Sequence, residues 1–240
     1  MNYFTLDTNI LIGVANETDE LHEKSLSLIT GEDRKGHKCF LVYTAVREFN
    51  LTFRKKLNQA IGEILEELRK IEDVEQGFDL KRNLVELFNR KINQKTLLTN
   101  FYKLLFKKID EYIIENLDIS RLFTYLVELT ENLSRIAFDV INDIIGELEI
   151  HYIDLTNEDH IEKVSKINEL SREIIFKDKT DKAILIEVII TVLDLLEKTT
   201  LYSSDKELKI KALAVIKSLK GSFQKIELLD IKHIDEYNIN

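Results

Sequence analysis

Asn2-Tyr-Phe-Thr-Leu-Asp7-Thr8-Asn9-Ile-Leu-Ile12 is an apolar run broken once by polar residues. Tyr3, Phe4 and Leu6 surround the β-branched Thr5, Asp7-Thr8-Asn9 interrupts, and Ile10, Leu11, Ile12 and Val14 resume. The pattern reads as a buried strand that ends on a carboxylate, with a helix starting at once. Open α/β sheets bind ligands just outside the carboxyl ends of their strands. Asp7 is therefore a candidate site residue if other acids reach the same edge.

Outward from this stretch, strands and helices alternate. Strand character returns at Lys38 to Tyr43, Ile150 to Leu155, Thr200 to Ser203 and Lys225 to Asp230. A short amphipathic helix is expected over Asp19 to Ile29, with Thr18 as its N-cap. Thr44 is the expected cap of a long helix with one apolar stripe from Ala45 to Ile71. From about Glu72 to Glu149 the spacing is purely helical, with breaks expected at Gly77 and Leu117-Asp118. Asn157 caps a helix to about Ile175, Asp181 opens the apolar helix Ala183 to Leu196, and Asp205 starts a helix that ends at Gly221. Strands alternating with helices predict an α/β fold whose parallel sheet carries helices on both faces.

The bulk properties exclude several classes. The chain has 240 residues and a net charge of −9, which argues against a general nucleic-acid binder. The charge is uneven: residues 50–110 hold 13 Lys/Arg against 9 Asp/Glu, so a local contact with a polyanion is compatible with the acidic total. Cys39 is the only cysteine, which rules out an internal disulfide and suits a reducing cytoplasm. Neither a secretory leader pattern nor a membrane-spanning run is recognisable, so a cytoplasmic location without a membrane partner is expected. With only 7 glycines and no Gly-rich loop, use of a nucleoside triphosphate is not expected.

Four carboxylates are expected at one edge. Asp7 follows the first strand, Glu48 lies early in the helix after the second, Asp181 opens the helix before the fourth, and Asp205 follows the fourth. In a parallel sheet these positions converge. Four such groups together raise one another's pKa values, and a hard divalent cation with oxygen ligands, Mg²⁺ or Mn²⁺, relieves the repulsion. Taken singly, Asp7 and Asp205 also read as N-caps, and Glu48 and Asp181 as complements to a helix dipole. The four in order favour a metal site.

Leu6-Asp7-Thr8-Asn9-Ile-Leu-Ile, Glu48, Thr180-Asp181-Lys-Ala-Ile-Leu-Ile and Leu201-Tyr-Ser203-Ser-Asp205 together resemble the PIN domain, a family of metal-dependent nucleases. The resemblance implies a three-layer α/β/α fold with a central parallel sheet. It implies that Asp7, Glu48, Asp181 and Asp205 are catalytic and hold Mg²⁺ or Mn²⁺, with Ser203 and Asn9 orienting them. It covers roughly residues 1–55 and 150–230. The expected organisation is thus a discontinuous PIN-like domain, 1–55 and 150–240, interrupted by an all-helical insertion, 56–149.

The implied activity is phosphodiester hydrolysis by one or two metal ions, with RNA as the leading substrate. The alternatives are a structure-specific DNA nuclease with a helical clamp and a non-catalytic binding module. An antitoxin or a second copy of the chain is the candidate protein partner. Arg54, Lys55 and Lys56 lie one to two turns beyond Glu48 and are candidates for substrate contact. Asp178 is the alternative to Asp181, and Asp154 is expected at a solvated strand end. The five histidines show no ligand spacing, so surface roles are expected for them. Phe101, Tyr102 and Phe106 sit at core spacing.

Overall fold

Five short strands form one sheet: β1 (Asn2–Leu6), β2 (Lys38–Val42), β3 (Leu148–His151), β4 (Lys198–Ser203) and β5 (Leu229–His233). Their order is β3-β2-β1-β4-β5, and every neighbouring pair is parallel. The chain therefore builds outward from β1 in both directions, and the topological switch falls between β1 and β4. There the register pairs Leu6 with Tyr202, so Asp7 emerges opposite Ser203. The computed structural model describes residues 2–31, 36–69, 78–112, 119–145 and 148–237.

The described residues also form nine α-helices: α1 (Thr8–Ala15), α2 (His22–Thr30), α3 (Tyr43–Arg69), α4 (Phe78–Asn93), α5 (Thr99–Tyr112), α6 (Ile119–Ile145), α7 (Glu158–Leu170), α8 (Lys179–Leu195) and α9 (Lys206–Leu219). Strand alternation sorts them into two layers. Phe4 and Leu6 of β1, Cys39 and Leu41 of β2 and Tyr202 of β4 face one way and join a core with α1 through α6. Phe40, Val42, Leu201, Leu229 and Ile231 face the other way and join Ile167 of α7 and the apolar sides of α8 and α9. The result is an α/β fold with helices on both faces of a parallel sheet. α1 is buried almost throughout, and at Gly13 it lies so close to α2 that a Cβ would stand 2.6 Å from Ser25 Oγ. With no proline to break them, α3 and α6 each run 27 residues.

The helical segment is not a body apart. Phe49, Phe53, Leu57 and Ile64 of α3 form one continuous core with Leu84 and Phe88 of α4, Phe101 and Leu105 of α5, and Leu122 and Leu126 of α6. That core includes the strand residues Phe4 and Leu6. The segment 56–149 starts within α3, the helix that carries Glu48, and at its other end Leu148 and Glu149 already belong to β3.

Several element edges differ from expectation. α2 starts at His22, and Thr18 is no cap: its N–H and Oγ1 both reach Asn16 Oδ1. Thr44 lies inside α3, and its N–H and Oγ1 both donate to Glu187, so it does not cap the helix. α7 keeps Asn157 as its cap but stops at Leu170. α8 starts two residues before Asp181, with Asp178 as its cap. The edge strands β3 and β5 are offset from the apolar runs that suggested them. The chain leaves β2 after His151, and Ile226–Leu228 forms a 3₁₀ turn before β5. Asp154 consequently lies in a turn, bonded by Thr156. The expected breaks at Gly77 and Leu117-Asp118 lie outside the described residues.

Candidate functional site

Asp7 is the buried centre of the carboxyl edge, only 2% exposed. It ends β1 and caps α1: its Oδ1 accepts from Thr8 N–H at 2.8 Å. Its Oδ2 accepts from Ser203 Oγ at 2.8 Å across the switch point. Ser203 Oγ in turn accepts from the Asp205 N–H at 2.9 Å, which fixes the start of α9 beside Asp7. Asp205 caps α9 through Oδ1, bonded by the N–H groups of Glu207 and Leu208.

Glu48 reaches this edge from the second turn of α3. Thr8 Oγ1 donates to its Oε2 at 2.6 Å, tying α3 to α1. Thr44, one turn earlier, is held from the opposite layer. Its N–H and Oγ1 donate to the two Glu187 oxygens of α8 at 2.9 and 2.7 Å. Asp181 occupies the first turn of α8 and makes no hydrogen bond among the described residues.

The electrostatics show that the four acids share one field. Burial pushes the Asp7 carboxyl up to about 7, and the charges of Asp181 and Glu48 add to that against the hydrogen bonds from Ser203 and Thr8. Asp181 is pushed up to about 6, by burial first and then by Asp178, Glu48 and Asp205, with Lys211 opposing. None of the four acids forms an ion pair among the described residues. The nearby Lys177 and Lys211 are instead engaged by Glu207, at 2.7 and 2.6 Å.

The donor set can be tested against a divalent cation. Glu48 Oε1, Asp205 Oδ2 and both Asp181 oxygens have no hydrogen-bond partner among the described residues, and all are hard oxygen donors, as Mg²⁺ or Mn²⁺ requires. The positive charge would also relieve the raised carboxyls. The chemistry fits. The spacing is looser than a closed cage: among the described residues no three His, Cys, Asp or Glu side chains are grouped closely enough to grip an ion as they stand.

Other expected site residues fall elsewhere. Asn9 is exposed and makes no hydrogen bond among the described residues; the residue that orients Glu48 is Thr8. The helix turns Thr8 toward α3 and Asn9 outward, and only the fold decides which of two adjacent polar residues faces in. Lys56 is turned away from the crevice, its ammonium 5.9 Å from the Phe101 ring centre. Arg54 and Lys55 are exposed on α3, and Lys55 shares the helix face of Glu48, seven residues on. Asp178 is an exposed cap that bonds Thr180 N–H. Phe101 and Tyr102 are core residues.

Two further residues have positions no local sequence signal foretold. His233 is buried instead of superficial: its Nε2 donates to the Ser204 carbonyl at 2.8 Å while Nδ1 accepts from Asp235 N–H. It thereby anchors the loop between Ser203 and Asp205. Glu187 is a charged residue within the apolar helix α8. Its only cue was being a carboxylate in a run of aliphatic residues.

No family model, characterised protein or solved structure matches the chain.

Proposed function

We propose that this protein is a Mg²⁺- or Mn²⁺-dependent nuclease of PIN-like type that hydrolyses phosphodiester bonds in RNA. The observation that supports the reading best is Asp7. It is a buried carboxylate at the switch point, bridged by Ser203 to Asp205 and in the field of Glu48 and Asp181. Helix capping accounts for Asp7 and Asp205, but it does not account for Glu48 in the second turn of α3.

Asp7, Glu48, Asp181 and Asp205 would hold the ion. When bound, the ion polarises the phosphate and makes an attacking water acidic near neutral pH. The protein's own groups supply orientation. Ser203 fixes Oδ2 of Asp7 and the backbone of Asp205, and Thr8 holds one oxygen of Glu48 while its other oxygen stays open. His233 steadies the Ser204 carbonyl behind them. Asp7 and Asp181 must be ionised to bind a cation, so metal affinity rises with pH through about 6 to 7.

A DNA nuclease with a helical clamp is less well supported. The grooves beside Glu48 are lined from α3, α7, α8 and the chain after β3, and by no residue of α4, α5 or α6. No described helix is long and apolar enough to cross a membrane. The deciding experiment is cleavage of end-labelled single-stranded RNA and DNA in Mn²⁺ by wild type and Asp7→Asn. Cleavage that survives chelation, or an undiminished variant, overturns the proposal.

A further inference from the structure

The carboxyl edge carries more than acids. Val42 and His151 are register partners at the ends of β2 and β3, so the next residues, Tyr43 and Tyr152, emerge side by side. They are 52% and 71% exposed. Beside them runs a groove of about 610 Å³, floored by Ile153, Val164, Ala183 and Ile186. Thr44, Arg47 and Ala183 line this groove and also a second one of about 540 Å³ that contains Glu48 and Lys179, so the two adjoin. Arg47 and Lys179 form no ion pair among the described residues. The acid within the apolar groove, Glu187, has both oxygens taken by Thr44.

We infer that this groove is a base-holding subsite for the strand that flanks the scissile phosphate, an inference that rests on the nuclease reading. Tyr43 and Tyr152 are its stacking faces, and Arg47 contacts the phosphate between groove and acids. Three features choose a nucleotide strand as the occupant. The groove adjoins the one that holds Glu48, Arg47 lines both and forms no ion pair among the described residues, and two exposed rings emerge side by side at its edge. Its volume is in the range of small-ligand pockets and suits one or two nucleotides. The lining is mostly aliphatic and aromatic, so it grips a base by its face and does not select among bases.

The test is fluorescence anisotropy of a labelled ten-nucleotide RNA, and of the same strand made abasic, on the full-length Asp7→Asn protein in chelator. Adding Tyr43→Ala or Tyr152→Ala should each weaken binding of the base-bearing strand about tenfold, with Phe at either position restoring it. The abasic strand should bind the tyrosine variants as it binds the parent. Arg47→Ala should weaken both strands and lower the salt slope by about 0.7. A DNA strand should follow the same pattern, because stacking does not read the sugar. Equal losses for both strands, or tyrosine variants that bind like the parent, overturn the subsite; the second result would leave the groove to an apolar peptide. Metal-dependent cleavage is scored separately on wild type. A protein that binds through its tyrosines but cleaves neither strand defeats the nuclease reading and leaves the subsite standing.

Discussion

The carboxyl edge and the helical block use the same charged residues to opposite ends. In the block, acids meet lysines. Glu63 accepts from Tyr102 and from Lys91 at 3.0 Å, and these contacts hold it below the usual carboxylate range. Glu17, just after α1, is opposed by burial but paired with Lys107 and Lys108 of α5 at 2.6 and 3.1 Å, and its net shift is also downward. At the edge, Asp7 and Asp181 have no such partners and are pushed upward. Pairing makes an acid part of the scaffold. Acids left without a cationic partner cost stability, and groups perturbed in this way are candidates for function.

The largest effect is expected from excising residues 78–145. Phe49, Phe53 and Leu57 would lose their partners in α4 to α6, and the remainder should fail to give a soluble, cooperatively unfolding protein. A folded, active remainder would restore the picture of a separable insertion. Next, Asp7→Asn should reduce Mn²⁺-dependent RNA cleavage at least about a thousandfold, as when one member of a catalytic unit is removed.

The same substitution should stabilise the metal-free protein. The Asp7 carboxyl titrates near 3.8 in an unfolded chain and near 7 when folded. Between those values the folded state holds the extra proton, so stability is lost as pH rises from about 4 to about 7. Asp7→Asn should therefore change the melting temperature little near pH 4 and raise it above pH 7. The corresponding gain is bounded at about 4 kcal/mol. A variant less stable than wild type at pH 8 in chelator would show that Asp7 is a structural acid after all.

Ser203→Ala, which leaves Asp7 Oδ2 and the Asp205 N–H without their bridge, should weaken Mn²⁺ binding about 10- to 100-fold by calorimetry. The smallest effect belongs to the paired acids. Glu17→Gln should cost less than about 1 kcal/mol in urea denaturation and leave cleavage within about twofold. A large loss of cleavage there would erase the distinction between the two regions.

Much of this arrangement was legible before the fold was known. Strand and helix order follow from apolar runs and helical periodicity, and chain direction places the four acids at the carboxyl edge, though among the described residues no three are grouped closely enough to grip an ion. Cap and edge positions were not legible, because distant partners decide them. Thr44 looked like a cap, but its donors go to Glu187, 143 residues away in sequence. Edge strands β3 and β5 are paired on one side only, so apolar content did not fix where pairing stopped. Thr8 and Asn9 can both hydrogen-bond, and only the packing of α1 against α3 selects Thr8. The unity of the helical block with the sheet was hidden for the same reason: periodicity reveals an apolar stripe but not what it lies against.

α3 is one rod with Glu48 near its start and Leu68 near its end. At a rise of 1.5 Å per residue it is about 40 Å long. Glu187 pins it at Thr44, about 6 Å from Glu48 and about 36 Å from Leu68 by the same rise. Treated as a lever with its fulcrum at that pin, α3 reduces movement of its far end about sixfold by the time it reaches the Glu48 carboxylate. A displacement at the Leu68 end is thus damped before it reaches Glu48.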